Sequence, residues 1–392
     1  MRVILSTYDS RGGVEPLAAL AVQLKELGAE ALVCAPPDCA ERLAELEVPL
    51  APIGKPTREL VHGSGTPDVN RLAADFIGLQ LDRLAKAAQG CDAIVTSGLL
   101  PVVAGAQSVA ELLGVPSVNV SYCPVFLSSP HHRPPPLPGR PVPADVTDPA
   151  ALDELDVANY NGFLREPLNE HRAAAGLPPV DDVRAFVRTA RPWLAADPVL
   201  APWPGGRADV VQTGAWFVTD ERPLPADLEA FVDAGPLPVY LSFGSMPAPE
   251  GFARAAVDAI RARGRRVVLG RGWAGLDGDE DCFVIGEVNQ QALFKRVVAA
   301  IHHGGAGTTT TATRAGVPQI VVPQWADQPY FAGRVAALGI GAAAGAGSLD
   351  QALDAALRPA TRQRAAAVAA TVRTDGAAVA ARRLLDLADQ QE

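Results

Sequence analysis

The chain has 392 residues, 48% hydrophobic and 5% aromatic, with 36 glycines and an unusually high 35 prolines; that length and apolar content suit two domains of about 150 to 200 residues and exclude a disordered chain. Its 34 basic against 44 acidic residues give a net charge of -10, without the positive footprint a nucleic-acid backbone requires, so no nucleic-acid partner is expected. Five cysteines without a repeated CxxC spacing suggest neither a disulfide scaffold nor structural zinc, and the absence of a signal-peptide core or a span of roughly 20 apolar residues makes a cytoplasmic protein with no membrane span the expectation.

In chain order, strand-like runs at 3–7, 31–34, 93–96 and 117–120 alternate with segments of helical period at 15–27, 39–45, 70–88 and 102–113. Such alternation with short connections predicts an α/β fold with a parallel sheet covered on both faces. The same grammar restarts after residue 238, through 239–243, 252–263, 266–269, 283–285, 297–301, 308–315 and 319–322. Between these halves, residues 191–238 carry eight prolines, a composition that suits a stiff extended linker and not a sheet interior. A cleft between two such halves is the natural place for a ligand.

A second irregular stretch, 124–149, holds nine prolines together with His131, His132 and Arg133. It follows the strand ending near Val120, at the edge where loops shape binding sites, and reads either as a substrate-contacting loop or as a variable surface insertion. The final helical segment, 375–390, has a periodicity that leaves its partner domain open.

The strongest local signal is Ile301-His302-His303-Gly304-Gly305-Ala306-Gly307-Thr308-Thr309, an apolar strand running into three glycines and then a helix-like segment. Glycines let backbone N–H groups approach an anion, and the helix start adds unpaired donors and the positive end of its dipole. The segment therefore reads as a diphosphate seat, against the plainer reading of a tight packing turn. It is neither a dinucleotide fingerprint nor a P-loop. No third ligand accompanies the adjacent histidines, so no metal is expected; one should donate to a phosphate oxygen and the other be structural.

About twenty residues on, Asp327 and Gln328 follow another strand and offer a carboxylate and an amide suited to sugar hydroxyls, although a helix N-cap is the simpler role for such a pair. In the first half, the loop after the first strand carries Asp9, Ser10, Arg11, Gly12 and Gly13; its counterpart in the second half carries Ser245, placed to donate to a phosphate. No G-x-S-x-G nucleophile elbow is present.

With Ser10-Arg11-Gly12, Cys34-Ala35-Pro36-Pro37-Asp38, Thr96-Ser97-Gly98-Leu99-Leu100, Trp193-Leu194-Ala195-Ala196-Asp197-Pro198, Gln212-Thr213-Gly214-Ala215-Trp216, the His302 to Thr309 segment and Ala326-Asp327-Gln328-Pro329-Tyr330, the chain resembles the bacterial antibiotic glycosyltransferases of the GT-B fold, in particular the vancomycin-type glycopeptide group. The resemblance spans essentially the whole length. It implies two Rossmann-like domains facing across a cleft: an acceptor-binding domain over 1–203, with 375–392 packing back on it, and a nucleotide-sugar domain over 204–374. It implies inverting transfer of a hexose from a dTDP- or UDP-sugar to a hydroxyl of a large aglycone, by a monomer needing neither metal nor cofactor.

By the same resemblance, His303, Gly305, Gly307 and Thr308 bind the diphosphate with Ser245 beside them. Asp327 and Gln328 face the sugar, Glu287 and Val288 lie near the nucleoside, and Ser10 and Arg11 reach across from the other domain. His131 and His132 are the expected acceptor contacts. The family usually has Asp at the position of Gly13, a favoured general base, and general-base catalysis is worth about 10² to 10⁴ in rate. Asp327 and Asp9 are the two replacements, Asp327 placed first because Asp9 lies nearer the strand end and can serve as a loop cap. Two other functions compete: a catalytically weakened homologue acting as a binding or activator partner, and a nucleotide-sugar 2-epimerase.

Overall fold

The structure, a computed structural model, describes residues 1–62, 68–206, 208–273, 275, 282–345 and 348–389. The chain divides into an amino unit of Met1–Ala196, Pro202–Val218 and Thr374–Glu392 and a carboxyl unit of Asp197–Ala201 and Thr219–Arg373.

The amino unit is built on β1 (Arg2–Ser6), β2 (Glu30–Ala35), β3 (Leu50–Pro52), β4 (Ala93–Ser97), β5 (Ser117–Ser121), β6 (Trp193–Leu194) and β7 (Val211–Gln212). These seven strands pair in parallel, in the order β3-β2-β1-β4-β5-β6-β7. Side chains alternate between the faces of each strand. Val3, Leu5 and Val95 therefore pack under Leu17, Leu20 and Leu24 of the helix Arg11–Glu26. Ile4 and Ile94 turn the other way, onto Val102, Ala106 and Val109 of the helix Leu100–Leu113. Burial on that scale is worth about 1.5–3 kcal/mol per large side chain, which is what holds both layers on the sheet.

The final helix, Gly376–Asp389, lies on this unit through Ala377, Ala380, Ala381 and Leu384. At its start a Cβ on Gly376 would run into the Ala215 carbonyl, so glycine permits the close approach. Within the proline-rich 191–238, β6 and β7 extend the sheet, β6 in its interior, which the expected linker did not include. The prolines flank these strands; Pro192 precedes β6 and its carbonyl accepts the Val211 N–H at 3.1 Å.

The predicted helix over 70–88 is interrupted by a π segment, Gln80–Leu84. It turns the buried Gln80 amide onto the Ser6 hydroxyl, which donates to Oε1 at 3.1 Å. The helix Pro149–Ala174, N-capped by Asp148, has no counterpart in the sequence analysis, nor do the three-residue strands Leu50–Pro52 and Gly341–Ala343.

The carboxyl unit repeats the plan with β8 (Val239–Ser242), β9 (Val267–Gly270), β10 (Cys282–Ile285), β11 (Ala299–His302), β12 (Gln319–Val321) and β13 (Gly341–Ala343), all parallel in the order β10-β9-β8-β11-β12-β13. Val239, Leu241, Leu269 and Ile301 pack with the helix Phe252–Ala262 on one face, and Tyr240, Val268 and Ala300 with Leu293, Phe294 and Ala312 on the other. Each sheet reverses its strand order once, between β1 and β4 and between β8 and β11. Ligand crevices of open α/β sheets lie at the carboxyl ends of strands at such reversals.

Candidate active site

In the carboxyl unit the reversal is occupied by the predicted diphosphate seat. β11 ends at His302, and His303, Gly304 and Gly305 turn the chain into the helix Ala306–Arg314. Gly304 has φ +94°, and a Cβ there would lie 2.5 Å from Val321 Cγ1. Gly305 is the N-cap and has no side chain to cap the donors of the first turn, the arrangement that receives anions. The hydroxyls of Thr309, Thr310 and Thr311 bond back to the carbonyls of Gly305, Ala306 and Gly307 at 2.7 to 2.9 Å. Among the described residues, Thr308 is the member of the run without that back-bond. Gly307 is exposed, and a Cβ on it would meet no atom within 4 Å, so the fold itself does not require glycine there.

The two histidines separate as their positions imply. His302 is completely buried; its Nε2 lies 3.0 Å from Gln319 Oε1 and its Nδ1 accepts the Gly304 N–H at 3.1 Å. This makes Nε2 the protonated nitrogen. Gln319 in turn donates to Thr313 Oγ1 at 2.9 Å. Burial, and secondarily the neighbouring His303, push His302 down to about 3. The His303 ring lies against Gly305, where a Cβ would be 2.5 Å from its Nε2, and against Gly244, whose Cβ would be 3.4 Å from its Cε1. Burial lowers it to about 4, and its Nδ1 is buried without a hydrogen-bond partner. A neutral imidazole beside an uncapped helix start is suited to donate to an anion.

Ser245 is half-buried in the turn after β8, joined to the His303 side through Gly244. Glu287 is exposed and Val288 half-buried after β10, where Asn289 caps the helix Gln290–Phe294 and donates to the carbonyls of Asp220 and Arg222, both at 2.8 Å. Asp327 is half-buried at the N-cap position of the helix Gln328–Ala337 but makes no side-chain cap bond. Gln328 is buried, and its Oε1 accepts the N–H groups of Gln324 and Trp325 at 2.8 and 3.3 Å. The amide thus braces the turn that presents Asp327. That turn carries Ala326 at φ +57° and Trp325 with 60% of its surface exposed.

The amino unit gathers a second cluster at its own reversal. Ser10 is the N-cap of the helix Arg11–Glu26, without a side-chain cap bond, and Arg11 is its exposed first residue. Asp9 Oδ1 accepts the Ser10 N–H at 2.6 Å, while a Cβ on Gly13 would lie 2.7 Å from Asp9 Oδ2. Burial raises Asp9 to about 6. The Tyr122 hydroxyl lies 2.9 Å from Ser97 Oγ and 3.3 Å from the Gly13 carbonyl. Tyr122 was not singled out in the sequence; its position just after β5 is the signal that pointed there.

His131 and His132 are held by a different set of residues. His131 is exposed, its N–H donating to Ser129 Oγ at 3.2 Å. His132 is half-buried and its pKa is lowered by burial. Their loop is anchored by Arg188, which donates to Ser128 Oγ and to Tyr160 Oη (3.1 Å) and pairs with buried Asp156 at 3.0 Å. Among the described residues, no group of three His, Cys, Asp or Glu side chains is arranged to hold a metal ion.

Residues 281–382 match the model of the erythromycin biosynthesis protein CIII-like C-terminal domain. The whole chain is 54% identical to 99% of a vancomycin aglycone glucosyltransferase of Amycolatopsis orientalis. Over 97% of its length it is 55% identical to the glycosyltransferase GtfE of the same organism, covering 96% of that protein. Among solved structures, the glycosyltransferase VinC in complex with DTDP superposes with a TM-score of 0.69, at 18% identity and full coverage of both chains. Identity above one half, sustained from end to end on two parallel sheets of this topology, makes the chain a member of the vancomycin-group antibiotic glycosyltransferases, with the GT-B fold.

Proposed function

We propose that the protein moves a hexose from a dTDP- or UDP-sugar to a hydroxyl of a glycopeptide-type aglycone, with inversion at the anomeric carbon and without a metal ion. The observation that carries this reading is the uncapped start of the helix Ala306–Arg314 beside neutral His303 at the β8/β11 reversal. As the bond from the sugar to the diphosphate breaks, charge grows on the leaving phosphate. Preorganised N–H donors and a helix dipole stabilise such charge without reorganising. In a chain with net charge -10, backbone donors supply what a lysine cluster or a cation supplies elsewhere.

His303, Gly305, Gly307 and Thr308 hold the diphosphate in this reading, with Ser245 next to them. Asp327 addresses the sugar from a turn that Gln328 braces, and Glu287 and Val288 flank the nucleoside. The amino unit binds the aglycone, with His131 and His132 on its proline-rich loop as acceptor contacts, while Ser10 and Arg11 on the loop leaving β1 are that unit's contacts to the donor. The names of the relatives support this choice: one acts on vancomycin aglycone, and one fold neighbour was solved with DTDP. The test is proton NMR of the product formed with EDTA present. An α-linked donor giving a β-glycoside supports the reading; retained configuration, or activity only with added metal, contradicts it.

A further inference from the structure

We propose that Asp9 is the general base of this transferase, and that residue 13 is glycine because the Asp9 carboxylate fills the space a side chain there would need. This rests on the transferase reading above and deepens it by naming the group that receives the acceptor proton.

Topology sets the position. β1 and β4 are neighbours whose onward connections leave in opposite directions, and the crevice opens at their carboxyl ends. Asp9 stands in the loop leaving β1. Gly98 follows β4 beside it, with φ +99°, and a Cβ there would be 2.9 Å from Thr7 Oγ1 and 3.9 Å from Asp9 Cβ. Tyr122 closes the third side from the end of β5, through Ser97 and the Gly13 carbonyl.

The space between residues 9 and 13 holds one carboxylate. A Cβ on Gly13 would lie 2.6 Å from Asp9 Cβ, 2.7 Å from Oδ2 and 3.0 Å from Cγ. Gly13 is not among the glycines with positive φ, so the helix start does not demand glycine for its backbone. The demand is steric, and it comes from Asp9.

The carboxylate is set for proton transfer. Its Oδ1 is fixed by the Ser10 N–H, and the Ser10 hydroxyl bonds the same carboxylate. Among the described residues no ion pair neutralises Asp9. The groups around it are Thr7 and Ser10 from its own loop, Thr57, whose hydroxyl donates to the Asp9 carbonyl at 3.2 Å, Ser97, and Tyr122. Tyr122 is the titratable one, and burial pushes its phenol above its ordinary range, so it stays neutral. Arg11, one residue past Ser10, is exposed. Asp9 keeps part of its surface exposed, and desolvation holds its carboxyl at about 6, close to the ambient pH at which a base works best.

The step balances as a displacement. The acceptor oxygen forms a bond to the anomeric carbon as the bond from that carbon to the diphosphate breaks, its electron pair leaving with the nucleoside diphosphate. The acceptor proton passes to Asp9 and then to solvent.

The test compares wild type, Asp9→Asn, Asp9→Gly and the double variant Asp9→Gly/Gly13→Asp by turnover, by the pH profile of kcat/KM, and by nucleotide titration and melting as checks of folding. Wild type should show an acid limb near pH 6. Asp9→Asn should lose about 10² to 10⁴ in turnover and lose the limb, with nucleotide binding unchanged. The double variant, which supplies the carboxylate from the other side of the same space, should regain at least about tenfold over Asp9→Gly. Asp9→Asn with turnover within a few-fold of wild type or with the limb intact, or a folded double variant no faster than Asp9→Gly, overturns the proposal. Wild-type transfer in the same assay reports separately on the transferase reading, which fails if no wild-type product forms.

Discussion

His302 Nε2 lies 3.0 Å from Gln319 Oε1, and this bond fixes the tautomer that lets Nδ1 accept the Gly304 N–H. Gln319→Leu would leave the buried imidazole N–H without its acceptor, while the Thr313 hydroxyl keeps its bond to the Thr309 carbonyl at 2.8 Å. Stranding such a group costs about 1–3 kcal/mol. A lower melting temperature and weaker nucleotide binding are expected, read by thermal denaturation and calorimetric titration.

Both histidines of the β11 turn are held neutral by burial, near 3 and 4, against about 6.5 in an unfolded chain. A depressed folded pKa contributes stability that is fully present above the unfolded value and is lost as pH falls toward the folded one. Stability should therefore decline below pH 6.5, by about 2 kcal/mol per ring at pH 5. Asp9 has the opposite sign: its raised pKa means its contribution is present below about 3.8 and lost as pH rises through about 6. Asp9→Asn should consequently stabilise the fold at pH 8, by on the order of 3 kcal/mol, and so raise the melting temperature there, while having little effect at pH 4. Melting curves across that range check both signs.

Gly307 separates packing from binding. With no atom within 4 Å of its missing Cβ, Gly307→Ala should stabilise the helix by about 0.5–1 kcal/mol yet, in the proposed reading, weaken nucleotide binding, because the added methyl group would intrude on the diphosphate assigned to that turn. Gly304→Ala should instead destabilise the protein, since φ is +94° and Val321 Cγ1 would be 2.5 Å from the new carbon. Melting and nucleotide titration of the two variants distinguish these effects.

Asp327→Asn should lower turnover at least about tenfold with little change in folding, since the side chain makes no cap bond to its helix. If Asp327 addresses the sugar and Asp9 takes the proton, the acid limb of the pH profile survives in this variant. Loss of the limb would transfer the base role to Asp327.

Much of this was legible in the sequence for physical reasons. Alternation in Val3, Ile4 and Leu5 and the apolar run into His302 report strands covered on both faces, and Gly304, Gly305 and Gly307 mark a turn where backbone must come close to something. The helix Pro149–Ala174 carries no such mark: its buried face mixes Tyr160, Phe163 and Leu164 with Asp156 and Arg172, so its polarity hides its period. The π segment at Gln80 was hidden because a buried amide bonded to Ser6 is a tertiary contact, not a local preference. Gln328 reads as a sugar contact in one dimension; that its Oε1 also holds the Gln324–Trp325 backbone is visible only in three. The relation between Asp9 and Gly13, four residues apart, emerges only when the distances across the helix start are known.

The most direct measurement is the mass of a vancomycin-type aglycone after incubation with this protein and dTDP- or UDP-hexoses. A gain of one hexose with matching release of nucleoside diphosphate is expected. Tight nucleotide binding with no hexose gained from any donor, or conversion of the nucleotide sugar in the absence of aglycone, would contradict it.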